Sequence, residues 1–279
     1  MNDLTIDHAG LPLAVSLYGH RDAPPVLLLH GLSNSRDVWY DWAVELSDRY
    51  RVFALDFRGH GHSGRADRYD IGDYVSDALA TLDVIGAPTR VVGHSLGGVV
   101  AGALAQTDHA LVHSVLMLDP AWYFGIPEEF ARTVYPRRFA LLVGLMTRLR
   151  EERAPLDAWI AAVAQTPHPS GGVFADYMSA RQVISHASAL QRQDPACWAR
   201  PFTEALAMLD TAQPFRRPTQ LIRCDAALGA AFLDEHADLI RAANPALAIT
   251  HYVGADHFPH RTHGFAPRFR ADLNAFLLA

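Results

Sequence analysis

The sequence predicts an α/β fold in which a mostly parallel, doubly wound sheet carries a helical cap inserted between two core strands. Three observations support this prediction. Short β-branched or leucine-rich runs alternate with longer segments of helical periodicity, which is typical of a parallel sheet with helices on both faces. The runs at residues 26–29 and 115–118 are apolar throughout, as expected for strands buried on both faces. The alternation stops between about residues 121 and 215.

The individual elements follow from these patterns in chain order. Short apolar runs predict strands, and segments with apolar residues three and four positions apart predict helices. The predicted strands cover residues 13–18, 26–30, 52–56, 91–93, 114–118, 219–223 and 249–253. The predicted helices cover residues 38–47, 73–85, 96–106, 232–242 and 267–278.

The segment 121–214 is predicted to be a helical cap, inserted into a core made of residues 1–120 and 215–279. It has no buried-strand pattern, and prolines interrupt its helical periodicity repeatedly. It is also rich in large aromatic side chains: Trp122, Tyr123, Phe124, Trp159 and Trp198. We find no repeat, low-complexity tract or linker that would indicate a further domain.

Charge and composition narrow the possible partners and chemistries. The 279 residues carry a formal net charge of −6 without a long run of one sign, so we expect no nucleic-acid partner, which would need a basic face. All 24 basic residues are arginines. Without lysine the chain cannot form a lysine Schiff base, anchor pyridoxal phosphate or complete a phosphate-binding loop.

The chain shows no pattern typical of export or membrane insertion. Asp3 and Asp7 stand where a signal peptide would have its basic region, and the longest apolar runs are too short to span a bilayer. Cys197 and Cys224 are far apart in sequence, which fits a reducing compartment. We therefore predict a cytoplasmic protein without a membrane partner.

The strongest local signal for chemistry surrounds Ser95. The sequence Gly93-His94-Ser95-Leu96-Gly97 follows an apolar run and opens a helical one. A serine on a sharp turn from strand to helix must adopt strained dihedral angles, and neighbouring glycines make room for it. The turn lifts the hydroxyl out of the sheet, and the helix N-terminus favours negative charge there. This pattern predicts that Ser95 is a catalytic nucleophile.

Two other patterns suggest a cofactor or a metal, and we reject both. Residues 59–64 fit the glycine fingerprint of dinucleotide-binding proteins, but polar residues follow in place of a helix. His257, His260 and His263 are close in sequence, yet no Asp, Glu or Cys completes an obvious ligand set and Pro259 interrupts a helical face. The prediction is therefore no cofactor and no metal.

With these motifs the chain resembles the α/β-hydrolase family. The sequence His30-Gly31-Leu32-Ser33 is similar to the family's oxyanion loop, and residues 56–63 are similar to the turn that follows the next strand. The resemblance implies that the backbone N–H groups of Leu32 and Leu96 bind the oxyanion. It covers most of residues 20–120 and 215–279, and the insertion matches the family only as a cap in the expected place.

The resemblance also implies the partners of the serine. The order in this fold is nucleophile, acid, histidine, which makes His257, located after the last predicted strand, the general base for Ser95. Family members usually carry the acid after the strand that follows the insertion, which here gives Asp225. Asp225 stands closer to its strand than is common. Asp119, at the end of the strand before the insertion, therefore remains the alternative acid.

These residues predict a serine hydrolase that cleaves a carboxylic ester, thioester or lactone through an acyl-enzyme on Ser95. The aromatic residues of the cap favour a small-molecule substrate with an apolar or aromatic acyl group, and we expect the cap to form one wall of the pocket. The same triad would also serve a carbon–carbon bond hydrolase, an acyltransferase or a cofactor-free perhydrolase. The alternative outside the enzymes is a ligand-binding protein on this fold that does not convert its ligand.

Overall fold

The computed structural model describes residues 2–279, and its eight strands form one sheet. The strands are β1 (Asn2–His8), β2 (Leu11–Tyr18), β3 (Pro25–Leu29), β4 (Arg51–Leu55), β5 (Thr89–His94), β6 (Val112–Leu118), β7 (Thr219–Arg223) and β8 (Ala248–His251). Their order across the sheet is β1-β2-β4-β3-β5-β6-β7-β8. The strands β3 to β8 run parallel, while β1 and β2 pair antiparallel, which confirms the predicted α/β class.

The helices lie on both faces of this sheet and in the segment between β6 and β7. They are α1 (Tyr40–Leu46), α2 (Ile71–Ile85), α3 (Leu96–Ala105), α4 (Pro127–Ala131), α5 (Tyr135–Glu151), α6 (Leu156–Ala164), α7 (Ala180–Arg192), α8 (Phe202–Leu206), α9 (His236–Ala243) and α10 (Ala266–Leu278). The predicted helix at 232–242 begins only at His236. The residues before it form bends and turns, in which the N–H groups of Ala231 and Phe232 donate to a buried carboxylate, described below.

Alternate residues of each central strand enter two different hydrophobic cores. In β3, Leu27 and Leu29 pack in the layer that contains α2, α3 and α9, whereas Val26 and Leu28 pack in the layer that contains α1 and α10. Successive side chains of a strand point to opposite faces, so a strand covered on both sides must be apolar throughout. This explains why residues 26–29 and 115–118 carry no polar side chain.

The structure contains a strand that the sequence analysis missed. β1 pairs along its whole length with β2 through a tight turn at Ala9 and Gly10, both with positive φ. As an edge strand it buries only Ile6, and its other side chains are exposed or partly exposed. Polar residues at an edge protect the sheet from pairing with other chains, but they also remove the apolar signal by which strands are recognised.

Residues between β6 and β7 form the helices α4 to α8, with no strand of the sheet among them. A third hydrophobic cluster belongs almost wholly to this segment and includes Met146, Trp159, Val163 and Leu190, together with Phe258. The aromatic residues 122–124 of the same segment do not belong to this cluster, because they pack in the layer beside α3. The division into core and cap therefore stays a prediction, supported by this separate cluster.

The topology brings several loops to one edge of the sheet. β3, β5 and β6 are adjacent and parallel, so the loops that follow them leave from the same edge. In folds of this kind, ligands bind beyond the carboxyl ends of the strands. None of the helices within residues 2–279 combines the length and apolar character needed to cross a bilayer.

Candidate active site

The turn between β5 and α3 consists of Ser95 alone. Its backbone has φ 54° and ψ −116°, a conformation that persists only where the surroundings enforce it. The neighbouring glycines allow close packing here. A Cβ on Gly93 would lie 2.0 Å from the carbonyl oxygen of Gly97, and a Cβ on Gly97 would lie 2.3 Å from that of Leu29. The strand–turn–helix context predicted for this serine is present.

The loop after β3 lies directly against this turn. A Cβ on Gly31 would come within 3.2 Å of the Ser95 Cβ, so a side chain at this position would crowd the serine. The backbone N–H of Leu32 donates to no backbone carbonyl within residues 2–279. Leu96, as the first residue of α3, has no acceptor within its own helix. Both N–H groups therefore remain available to a ligand beside Ser95.

The same loop is also held in place through its backbone carbonyl groups. The carbonyl oxygen of Leu32 accepts a hydrogen bond from Gln193 Nε2 at 2.7 Å and lies 2.8 Å from His60 Nε2. His60 belongs to the glycine-rich turn at 59–64, so this turn supports the loop. The Leu32 N–H shares its peptide group with the Gly31 carbonyl, whose oxygen accepts a hydrogen bond from the Asn34 N–H at 3.0 Å and lies 2.9 Å from His30 Nδ1. These contacts fix that peptide plane, and the Leu32 N–H keeps its direction before a substrate arrives.

His257 and Asp119 form the second part of the site. His257 Nδ1 lies 2.5 Å from Asp119 Oδ2, and both side chains are buried. Asp119 follows β6 directly and accepts further hydrogen bonds from the backbone N–H groups of Cys224, Ala231 and Phe232. A carboxylate with this many donors has one orientation, and it fixes the imidazole with Nε2 directed away from it.

The structure corrects the expectation for the acid. Asp225 is partly exposed, and its carboxylate accepts hydrogen bonds from the backbone N–H groups of Ala227 and Gly254. It caps a short turn of 3₁₀-helix and ties it to the loop after β8. Because Asp225 stands only two residues beyond the end of β7, it is occupied locally. Asp119, the alternative, occupies the place beside His257.

Burial dominates the electrostatics of this pair. It lowers the pKa of His257, and it raises the pKa of Asp119 to about 6. After burial, Arg138 lowers the pKa of His257 further, Asp256 raises it and Arg261 lowers it. The backbone N–H donors oppose the rise at Asp119. The lowered pKa of His257 favours a neutral imidazole near pH 7, which is the form that a general base requires.

For a serine hydrolase of the kind that the sequence predicts, with Asp119 as the acid, activity toward an ester is expected to fall as the pH falls through about 6. Activity needs a neutral His257 and an ionised Asp119, so uptake of one proton by the pair removes it, and kcat/KM then falls about tenfold per pH unit. A profile of kcat/KM between pH 4.5 and 9 measures this. Arg138→Gln should move the acid limb to higher pH, because the nearby positive charge disfavours the imidazolium. A limb that stays in place would contradict this account.

Ser95 and His257 line one cavity of about 40 Å³. The loop 31–34 lines it as well, and its remaining wall is largely aromatic. The aromatic lining residues are Phe124, Tyr135, Phe139, Phe202 and Phe258. Four of these five come from residues 121–214, so the insertion contributes a wall beside Ser95.

Sequence reasoning missed several residues that position the histidine. His94 Nε2 lies 2.8 Å from the carbonyl oxygen of His257, and burial lowers the pKa of His94 well below its usual value. His168 Nε2 lies 2.7 Å from Asp256 Oδ2, which joins the insertion to the loop that carries the histidine. The only sequence signal was the position of His94 inside the Gly93–Gly97 motif. His168 had none, because its partner is 88 residues away.

A metal site was the other interpretation of the histidines near the C-terminus. Within the part of the chain that the structure describes, no group of three or more His, Cys, Asp or Glu side chains could hold a metal ion. His260 instead stacks on Trp39 with ring centroids 4.9 Å apart, and it also contacts the His94 ring.

Comparison with known proteins places these features in a family. Residues 26–267 match the family model described as the alpha/beta hydrolase family. The chain is 38% identical over 112 residues to lipase LipV of Mycobacterium tuberculosis, covering 40% of this chain and 42% of that protein. This chain spans 60% and 42% of the length of the first two curated relatives that it matches.

Solved structures agree over the whole length. Esterase RhEst1 from Rhodococcus sp. ECU1013 superimposes with a TM-score of 0.75 at 21% identity, covering 100% of this chain and 99% of that chain. The enol-lactonase from Burkholderia xenovorans LB400 superimposes with a TM-score of 0.71 at 22% identity, covering 99% and 100%. At these identities the likeness concerns the fold.

Proposed function

The chain belongs to the α/β-hydrolase family, and from this premise we propose that it hydrolyses a carboxylic ester or a related acyl bond through an acyl-enzyme on Ser95. One observation carries the proposal. Ser95, held in a strained turn, lines the same small cavity as His257, and the Nδ1 atom of His257 lies 2.5 Å from the buried carboxylate of Asp119. This combination is the arrangement that acyl transfer to serine requires.

In the proposed reaction, His257 Nε2 takes the proton of Ser95 while the serine oxygen attacks the acyl carbon. The N–H groups of Leu32 and Leu96 stabilise the oxyanion, each by a few kcal/mol. The intermediate then expels the alcohol, which takes the proton from His257. Water attacks the acyl-enzyme with the same proton transfers and releases the acid. Asp119 stabilises the imidazolium in both steps.

We further propose that residues 121–214 act as a lid over this cavity. A volume of about 40 Å³ has room for only a few water molecules, which is less than an acyl group with its leaving group needs. Phe139 on α5 and Phe202 on α8 form part of the wall, so movement of these helices would open the site. Lids of this sort move on microsecond-to-millisecond timescales. The aromatic wall favours a small-molecule substrate with an apolar or aromatic acyl group.

Rapid mixing with p-nitrophenyl acetate tests the proposal. We expect a burst of nitrophenolate whose amplitude equals the concentration of active sites, because acylation of Ser95 releases the alcohol before water releases the acid. Acid quenching during the burst and peptide mass spectrometry should locate one acetyl group on Ser95. Nitrophenolate release with the acetyl group on another residue, or no release from any ester of a panel, would contradict the proposal.

Variations of this assay separate hydrolysis from the alternative functions. Capture of most of the acyl group by added alcohol or hydrogen peroxide would replace hydrolysis by acyl transfer or perhydrolysis. Turnover of a diketone without turnover of esters would favour a carbon–carbon bond hydrolase. Saturable binding of esters without turnover would favour a ligand-binding protein.

A further inference from the structure

Arg261 is a buried cation without a carboxylate partner. Its side chain is 1% exposed, and within residues 2–279 no carboxylate oxygen lies within ion-pair distance of its guanidinium. Burial lowers its pKa to about 10, so it stays charged at neutral pH. A buried charge is costly unless it is compensated, and here two hydrogen-bond acceptors and the ring of Phe258, 5.5 Å from the guanidinium carbon, take the place of a counterion.

The guanidinium holds the side chain of Asn34. Arg261 Nη1 donates to Asn34 Oδ1 at 3.0 Å, and Nη2 donates to the carbonyl oxygen of Gln182 on α7 at 3.1 Å. An arginine has only donors, so the atom of Asn34 that faces it must be the carbonyl oxygen. This chemistry settles the orientation of the amide, which the shape of the side chain alone does not. The amide nitrogen therefore points away from Arg261.

Asn34 lies on the wall of the cavity that contains Ser95. It is 3% exposed, and its own backbone N–H donates to the carbonyl oxygen of Gly31, in the loop beside the serine. Its amide nitrogen has no acceptor within residues 2–279, but it is not sealed in the interior and keeps accessible surface. Since the residue lines the cavity, a substrate in this space would lie next to Asn34.

Two other polar groups of the wall already have protein partners, whereas the buried His94 Nδ1 has no hydrogen-bond partner within residues 2–279. The hydroxyl of Tyr135 donates to the carbonyl oxygen of Gly229 at 3.2 Å, and His94 Nε2 faces the carbonyl oxygen of His257. The rest of the wall is largely aromatic, as described above. Asn34 thus offers a fixed donor with unused capacity in apolar surroundings, where leaving a donor unpaired is costly.

We propose that Asn34 is a specificity-determining residue whose amide N–H, directed into the cavity by Arg261, donates to an acceptor oxygen in the acyl group of the substrate. The substrate class is then an acyl compound with a carbonyl, ether or carboxylate oxygen close to the scissile bond. Arg261 is a positioning residue that acts through Asn34. This inference rests on the proposed acyl hydrolysis, and it adds a preference that the reaction itself does not require.

Two esters of nearly equal shape test it. p-Nitrophenyl methoxyacetate carries an ether oxygen where p-nitrophenyl butyrate carries a methylene group. The measured quantity is the ratio of kcat/KM for the first ester to kcat/KM for the second. Asn34→Leu should lower this ratio on the order of tenfold, because the leucine removes the donor and leaves an apolar wall. Comparing each variant with the wild type cancels the intrinsic reactivity of the esters.

Variants at Arg261 test the orientation. Arg261→Met should lower the same ratio, since the amide loses its lock, and Arg261→Lys should retain more of it because an ammonium is still a donor. The double variant Asn34→Leu, Arg261→Met should fall no further than Asn34→Leu alone. Asn34→Asp keeps the acceptor for Arg261 but turns an oxygen toward the cavity, so it should also disfavour the methoxyacetate. The Asn34→Asp variant therefore tests the inference even if the Arg261 variants do not fold.

A similar pair on the surface is the matched control. Arg49 Nη2 donates to Asn274 Oδ1 between the loop after α1 and α10, and neither residue lines the cavity that contains Ser95. Asn274→Leu should leave the ratio unchanged. An unchanged ratio in Asn34→Leu would overturn the inference. If kcat/KM fell by the same factor for both esters, the ratio would also stay unchanged, and the donor would act at the oxyanion. Absence of an acyl-enzyme with either ester would instead overturn the proposed function.

Discussion

Replacing Ser95 with alanine is expected to lower kcat for p-nitrophenyl acetate by about a million-fold, close to the uncatalysed rate in the presence of the remaining binding site. The loss is this large because the proposed acyl-enzyme has no other nucleophile. In the proposed reaction, His257 and Asp119 cannot replace it, because they transfer and stabilise protons and form no bond to the acyl carbon. The strained turn suits alanine as well as serine in size, so the fold should persist.

Covalent labelling by a fluorophosphonate gives the second measurement. The wild type should take up one label per chain on Ser95, and Ser95→Ala should take up none. Ser47→Ala is the control, since this hydroxyl donates to the carbonyl oxygen of Val44 at the exposed end of α1 and has no contact with the site. Complete labelling of Ser95→Ala would show that the reactive serine lies elsewhere.

The core of the fold was predictable because its signal is local. Strands covered on both faces must be apolar at every position, and β3 and β6 are recognisable for that reason. β1 was not, because an edge strand that buries only Ile6 has no such requirement. Its alternation of Leu4 and Ile6 with polar residues, followed by Gly10, was the available signal, and it extends over too few residues to stand out.

Some residues of the candidate site could likewise be predicted from the sequence, and others could not. Ser95 is marked in the sequence because the turn needs glycines at fixed positions around it. His257 is marked by its place after the last strand. The pairing of Asn34 with Arg261 has no sequence signal, since a separation of 227 residues is closed only by the tertiary structure. Residues that act through such contacts require coordinates.

The acid shows why topology alone was not enough. The ends of β6 and β7 are neighbours in the sheet, so Asp119 and Asp225 both stand at the edge where the histidine arrives. What separates them is the chain around them. Residues 230–232 fold back so that two backbone N–H groups point at Asp119, whereas Asp225 is satisfied by its own turn. Such loop geometry has no counterpart in the spacing of residues.

Asp119→Asn is expected to lower kcat by about 10⁴-fold, while Asp225→Asn should stay within about threefold of the wild type. In the wild type, Asp119 Oδ2 faces His257 Nδ1 and the N–H of Ala231, and Oδ1 faces the N–H groups of Cys224 and Phe232. An asparagine has only one acceptor oxygen. If its NH₂ group faces His257, it donates to Nδ1, which moves the ring proton to Nε2 and removes the base for Ser95.

If the NH₂ group introduced by Asp119→Asn instead faces the backbone donors, buried N–H groups meet without an acceptor, at a cost of about 1–3 kcal/mol in the free energy of unfolding. Steady-state kinetics must therefore be accompanied by thermal unfolding of both variants. Asp225→Asn keeps an acceptor for one of its two backbone partners at a partly exposed site, so it is the matched control for the change of charge. Near wild-type activity in a folded Asp119→Asn, with a loss of orders of magnitude in Asp225→Asn, would return the role of the acid to Asp225.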